Sequence, residues 1–128
     1  MTFCATEPAA RNEVFNVTNG DYFRWCNVWP KIAAAFNMPW DEPQTIKLTE
    51  FMADKAPLWN AMRERHGLKA YRYEDLAAWP FGDYVFGTDW DVMTSTIKLR
   101  KAGFHDCDDS EEMITRMLRE FRQRKIVP

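Results

Sequence analysis

Val14-Phe15-Asn16-Val17-Thr18-Asn19-Gly20-Asp21 is the stretch on which the reading of this chain turns. Val14, Phe15, Val17 and Thr18 are β-branched or aromatic, and such side chains suit a pleated, half-buried surface. Asn19-Gly20-Asp21 stops the run, because Asn and Gly tolerate positive φ and Asp bonds back to nearby N–H groups. The expectation is a strand over residues 14–18, closed by a turn. Beyond it, Trp25, Val28, Trp29, Ile32, Ala33 and Phe36 recur at helical spacing and define one apolar face. The rest of the chain offers the strand little sheet to join. It reads as the end of a larger sheet, and its abrupt start near the N-terminus reads as a sign of truncation.

The pattern elsewhere is helical. Pro30 places the regular start of the second helix near Trp25 to Asn27, or a kink at Trp29, and Pro39 blocks it beyond Phe36-Asn37. Thr49 is placed to cap a short helix. Pro57 suits the first turn of a helix whose Leu58, Trp59 and Met62 share a face, and Gly67 closes it. Residues 71–79 look helical, with Leu76 and Trp79 inward. Phe81, Tyr84 and Val85 are spaced i, i+3, i+4, which favours a short helix over a strand. Asp91 is placed to cap a helix carrying Val92, Met93 and Ile97. Asp108, Asp109 and Ser110 cap a last helix with Met113, Ile114, Met117, Leu118 and Phe121 on its apolar face. Ile126-Val127-Pro128 is expected to dock back. The fold class expected is mostly α with one or a few short β-strands (α+β), as a single domain over residues 1–128.

Composition narrows the function. The chain has 128 residues, 46% hydrophobic and 15% aromatic, with 6 Trp and 9 Phe, which is enough apolar surface for a modest core. A net charge of −2 gives no field to hold nucleic acid or an anionic membrane. Cys4, Cys26 and Cys107 are odd in number and in no metal spacing, so reduced thiols and a cytoplasmic setting are expected. No apolar run approaches a membrane span, and the first residues lack the basic and apolar regions of a signal peptide.

No catalytic, cofactor-binding or metal-ligating residue is assigned. Gly20, Gly67, Gly82, Gly87 and Gly103 are isolated, so no phosphate-cradling loop can be built. No tyrosine is followed four residues on by lysine, and no serine sits in a Gly-x-Ser-x-Gly elbow. His66 lies in a basic helix end and reads as a dipole partner. His105, Cys107 and Asp109 lack the second half of a metal site, and acidic residues at a helix start explain them better. Arg116, Arg119, Arg122 and Arg124 share the last helix with Glu111, Glu112 and Glu120 and read as a solvated face. The rings of Trp79, Phe81, Tyr84 and Phe86 admit two readings, core packing or the wall of a hydrophobic ligand site.

The chain also resembles a known family. The stretch 14–21, then Phe23-Arg24-Trp25, Trp29-Pro30-Lys31-Ile32-Ala33, Pro57-Leu58-Trp59, Gly67-Leu68, Trp79-Pro80-Phe81-Gly82-Asp83, Lys98-Leu99-Arg100-Lys101-Ala102-Gly103-Phe104 and Lys125-Ile126-Val127-Pro128 carry the likeness. In that order they look like the C-terminal part of progesterone 5β-reductase/iridoid synthase-like (PRISE-like) proteins. These are atypical extended short-chain dehydrogenases of the NAD-dependent epimerase/dehydratase group. The resemblance implies a parent in which an N-terminal Rossmann domain binds NADP and carries a catalytic tyrosine and lysine, while the C-terminal part closes over a hydrophobic enone. It implies substrate-binding roles for Phe81, Tyr84 and Val85, no cofactor in this chain, and no catalysis by this chain alone. Pro80 stands where relatives often carry a tryptophan. The partners expected are the enone and a Rossmann domain, or a second copy joined strand to strand. The alternative is a free-standing helical module that binds a ligand or a protein without enzyme activity.

Overall fold

The computed structural model describes residues 2–128. Among the described residues seven α-helices run in the order α1 (Thr2–Thr6), α2 (Trp25–Ala35), α3 (Leu48–Phe51), α4 (Ala56–His66), α5 (Trp79–Phe86), α6 (Ile97–Lys101) and α7 (Ser110–Gln123), with 3-10 turns at Pro8–Ala10 and Tyr73–Asp75. Among the described residues there is no strand. The α+β expectation is therefore corrected: the chain is helices and loops. Residues 14–18 stay outside regular structure because a strand exists only through a ladder, and among the described residues no backbone hydrogen bond forms one here.

What holds that segment is side chains. Lys98 Nζ donates to the Val14 carbonyl (3.0 Å) and pairs with Glu13, and Asn16 Nδ2 donates to the Ser95 carbonyl. The turn after it is firmer. Asp21 accepts from both the backbone N–H and the hydroxyl of Ser110, at 2.8 and 2.7 Å. The Asp108 N–H donates to the Asn19 carbonyl. A carboxylate from the start of the chain thus caps α7, whose own Asp109 accepts from the Glu112 N–H. Gly20 sits at φ +92, and a Cβ there would come 3.1 Å from Cys107 Cβ, so glycine is required.

Helix α2 packs on α7, and α3 on α5. Val28 on α2 is fully buried, and Lys31 reaches Glu111 on α7. That carboxylate's hydrogen bond raises the Lys31 pKa above its ordinary value. Pro30 lies inside α2 rather than in its first turn, so one helical hydrogen bond is forgone. Pro57 and Gly67 bound α4 as expected, the glycine at φ +60. Trp59 is buried and its indole N–H donates to the Tyr71 carbonyl at 3.0 Å, whereas Leu58 points out. The tail returns as expected: Ile126 N–H donates to Phe121, Lys69 N–H to Lys125, and Ile126 to Pro128 are half-buried.

Three local expectations fail for tertiary reasons. Thr49 lies inside α3, and the cap comes from Asp83, 34 residues away. Of residues 71–79, expected as one helix, 73–75 form a 3-10 turn and Trp79 opens α5, while the Tyr73 hydroxyl and the Tyr71 carbonyl are engaged by Met52 and Trp59. Asp91 pairs with Arg24 instead of capping, and helix α6 begins only at Ile97.

The core is small. Ala10, Val28, Trp59 and Leu99 are its buried apolar residues, while Trp25, Trp29, Trp40, Phe81, Tyr84, Phe86 and Trp90 are all more than a third exposed. The accessible surface is 10375 Å². A compact monomer of this mass exposes about 7,100 Å², so roughly 3,300 Å² more surface is open than a closed fold would leave.

Candidate functional site

Helix α5 presents the candidate residues as their spacing requires. Phe81 and Tyr84, three apart, stand on one side with ring centroids 6.5 Å apart at 33°. Both are about two-thirds exposed, at 66% and 67%, so they are surface rings rather than core. Val85, on the same helical side by spacing, is half-buried. The structure brings the three together on the surface of α5. A cleft of about 240 Å³ lies between His66, Leu68, Arg122, Lys125, Val127 and Pro128, and a crevice just large enough for a water lies beside Leu99 and Phe104. Neither touches α5.

Two features that the sequence pattern did not expose hold α5 in place. The first is Asp83, between Phe81 and Tyr84. Its carboxylate accepts from the Leu48 N–H (2.5 Å), the Thr49 N–H (3.1 Å) and the Thr49 hydroxyl (2.8 Å). The Thr49 hydroxyl bond, joined by the two N–H bonds and the nearby Lys47 charge, keeps its pKa below the ordinary carboxylate value against a smaller opposing effect of burial. Beside it Gly82 lies so close to α3 that a Cβ would meet Leu48 Cδ1 at 2.8 Å. No sequence rule finds this cap, since its partners are 34 and 35 residues apart.

The second feature is a ring cluster between α5 and α2. Phe86 packs edge-on to Trp25 (5.1 Å, 64°) and tilted to Trp29 (6.0 Å), and Phe23 meets Trp25 at 5.2 Å and 89°. The spacing of Trp25 and Trp29 announced an apolar face but not that Phe86 would share it. These rings remain 38% to 50% exposed, so they form a half-open aromatic wall.

The remaining chemistry is sparse. Among the described residues no group of three His, Cys, Asp or Glu side chains could hold a metal ion. Asp109 is occupied as the α7 cap. The residues present do not fit a dinucleotide cradle: the glycines are isolated and no strand-turn-helix unit lies among the described residues. Among those residues no helix is long and apolar enough to cross a membrane.

The described residues thus present a half-open apolar wall on short helices. The chain belongs to the PRISE-like Rossmann-fold domain family, which it matches over residues 4–128. That places it in an oxidoreductase family of the short-chain dehydrogenase type, and it bears on the α+β correction too: the family is described by a Rossmann fold, while the structure is helical. The chain is 33% identical to an (S)-8-oxocitronellyl enol synthase of Nepeta cataria, over 98% of this chain and 33% of that protein. It is 32% identical to a short chain dehydrogenase of Penicillium aethiopicum, over 98% of this chain and 37% of that one. An (S)-8-oxocitronellyl enol synthase of Camptotheca acuminata is 31% identical, again over 98% of this chain and 33% of the relative. The chain spans about a third of the length of these relatives.

Proposed function

We propose that this chain is the substrate-binding portion of an NADP-dependent enone (1,4-) reductase of the short-chain dehydrogenase type, and that it does not catalyse the reaction alone. The observation that carries the reading is the exposed ring pair of Phe81 and Tyr84 on α5, backed by the half-open wall of Trp25, Trp29 and Phe86. Apolar rings left in water at this density favour an apolar ligand. Asp83, the one charged side chain of α5, is turned to α3, which leaves the ring face apolar. In this reading the rings bury the hydrocarbon body of the enone and fix its position. The residues that hold NADP and stabilise the enolate oxygen belong outside these 128.

The test is fluorescence titration of the chain with a hydrophobic enone such as progesterone. Saturable quenching is expected, weakened about tenfold or more by Phe81→Ala or Tyr84→Ala, since burying one such ring contributes about 1.5–3 kcal/mol. Equal affinity in the wild type and both variants contradicts the assignment.

A further inference from the structure

We infer that the cleft between the C-terminal ends of α4 and α7 binds a small phosphate monoester, at a place apart from the ring face of α5. His66 and Leu68 line it from the end of α4, and Arg122, Lys125, Val127 and Pro128 from the end of α7 and the tail, around a space of about 240 Å³. Leu68, Val127 and Pro128 are half-buried, whereas the three basic side chains are exposed. Apolar surface therefore forms the floor and cations form the rim.

The charge is concentrated and uncompensated. Residues 63–69 and 119–125 carry seven Lys or Arg against two Glu, a net +5 on a chain whose total is −2. Among the described residues every ion pair lies elsewhere, so none of these cations is paired with a carboxylate. Unpaired charge of one sign around a concave surface focuses the field and raises the local concentration of anions.

Helix dipoles favour positive charge at these two ends, but they do not account for the arrangement. The last carbonyls are already taken by backbone N–H groups: Leu68 donates to Arg63 (2.9 Å), Arg124 to Glu120 (2.9 Å), Lys125 to Arg122 (3.0 Å) and Ile126 to Phe121 (2.8 Å). None of the cationic side chains donates to either helix end. Arg122 instead donates through Nη1 to the Ala35 carbonyl of α2 at 2.7 Å, which fixes its guanidinium and leaves Nε and Nη2 without a partner among the described residues. The Lys69 N–H donates to the Lys125 carbonyl at 2.8 Å and ties the two walls together. The cleft is thus set before a ligand arrives, which lowers the entropy cost of binding.

The donor set selects the anion. A fixed guanidinium matches two oxygens of one phosphate, Lys125 adds a point charge and His66 a ring N–H, which together suit a dianion better than a carboxylate. The apolar floor takes the organic part of the ester. Sites for drug-sized ligands run to about 300–1,000 Å³, so this cleft is too small to enclose a dinucleotide and fits a body of about one ring.

No tryptophan lines the cleft, so binding is read by ¹H–¹⁵N NMR titration of the chain with phenyl phosphate at constant ionic strength. Saturating shifts are expected at the Leu68, Lys125 and Val127 amides. Benzoate should bind at least fivefold more weakly, inorganic phosphate at least threefold more weakly, and sodium chloride should give no saturation. Lys125 sits at φ +57, which Asn accommodates, so Lys125→Asn removes the charge and keeps the backbone bonds. It should weaken binding about fivefold, as should Arg122→Gln, the scale of one exposed ionic contact. Lys101→Gln, an exposed cation on α6 outside the cleft, should change nothing. The inference is overturned if the shifts do not saturate or fall on residues 81–85 instead, if benzoate or inorganic phosphate matches phenyl phosphate, or if both cleft variants bind as the wild type does. It is overturned equally if Lys101→Gln weakens binding as much as they do. The cleft shares no residue with α5, so none of these outcomes bears on enone binding.

Discussion

Trp59 and Leu58 are neighbours on α4 and equally apolar in sequence, yet they should respond oppositely to truncation. Trp59 is 9% exposed and its indole N–H donates to the Tyr71 carbonyl at 3.0 Å, while Leu58 is 59% exposed. Trp59→Ala removes a large buried ring and leaves a void, at a cost of about 3–5 kcal/mol. Trp59→Phe keeps most of the ring and loses the hydrogen bond. Tyr71 is itself exposed, so water can replace the donor and the loss should be nearer 1 kcal/mol. Leu58→Ala should stay within about 0.5 kcal/mol of wild type. For a chain of this size 1 kcal/mol moves Tm by about 3–5 °C, so Trp59→Ala should lower it by 10 °C or more, Trp59→Phe by a few degrees, and Leu58→Ala scarcely at all. Thermal unfolding followed by far-UV circular dichroism measures all three. If Leu58→Ala and Trp59→Ala shift Tm equally, the assignment of α4's buried face is refuted, and with it the anchor that sets the path of residues 70–79 into α5.

Two further perturbations follow from the caps and the turn. Gly20→Ala should destabilise by at least about 1 kcal/mol in denaturant titration, because φ +92 strains any L side chain and the new Cβ would crowd Cys107; unchanged stability would show that the turn adapts. Asp83 has its pKa lowered in the folded chain, so its contribution is present above the ordinary carboxylate pKa and is lost as pH falls through the lower folded value. Asp83→Asn should therefore flatten the acid limb of the stability–pH curve and speed amide exchange in α5. An acid limb as steep as wild type's would show that the carboxylate does not act as the α3 cap.

How far the sequence disclosed this fold depended on the distance to the deciding partner. Helix α7, with Asp109 and the 113–121 apolar face, and the Pro57 to Gly67 helix rest on contacts within a few residues, and their pattern was readable. So was α5, from the i, i+3, i+4 spacing of Phe81, Tyr84 and Val85. The 14–18 strand could not be judged locally, because β-propensity states what a residue tolerates and the ladder depends on what lies beside it. Thr49 lost its expected role to Asp83, and Asp91 lost its own to Arg24, both by contacts tens of residues away. The ring spacing of Trp25 and Trp29 signalled an apolar face correctly, but the surface that would cover it is not supplied by the described residues.

The assignment of this chain to the substrate side of a reductase is tested most directly by equilibrium titration of the purified 128 residues with NADPH and with the enone, monitored through the same tryptophan fluorescence. The account predicts saturable quenching by the enone, sensitive to Phe81→Ala, and none by NADPH. Saturation by NADPH in the micromolar range would contradict it.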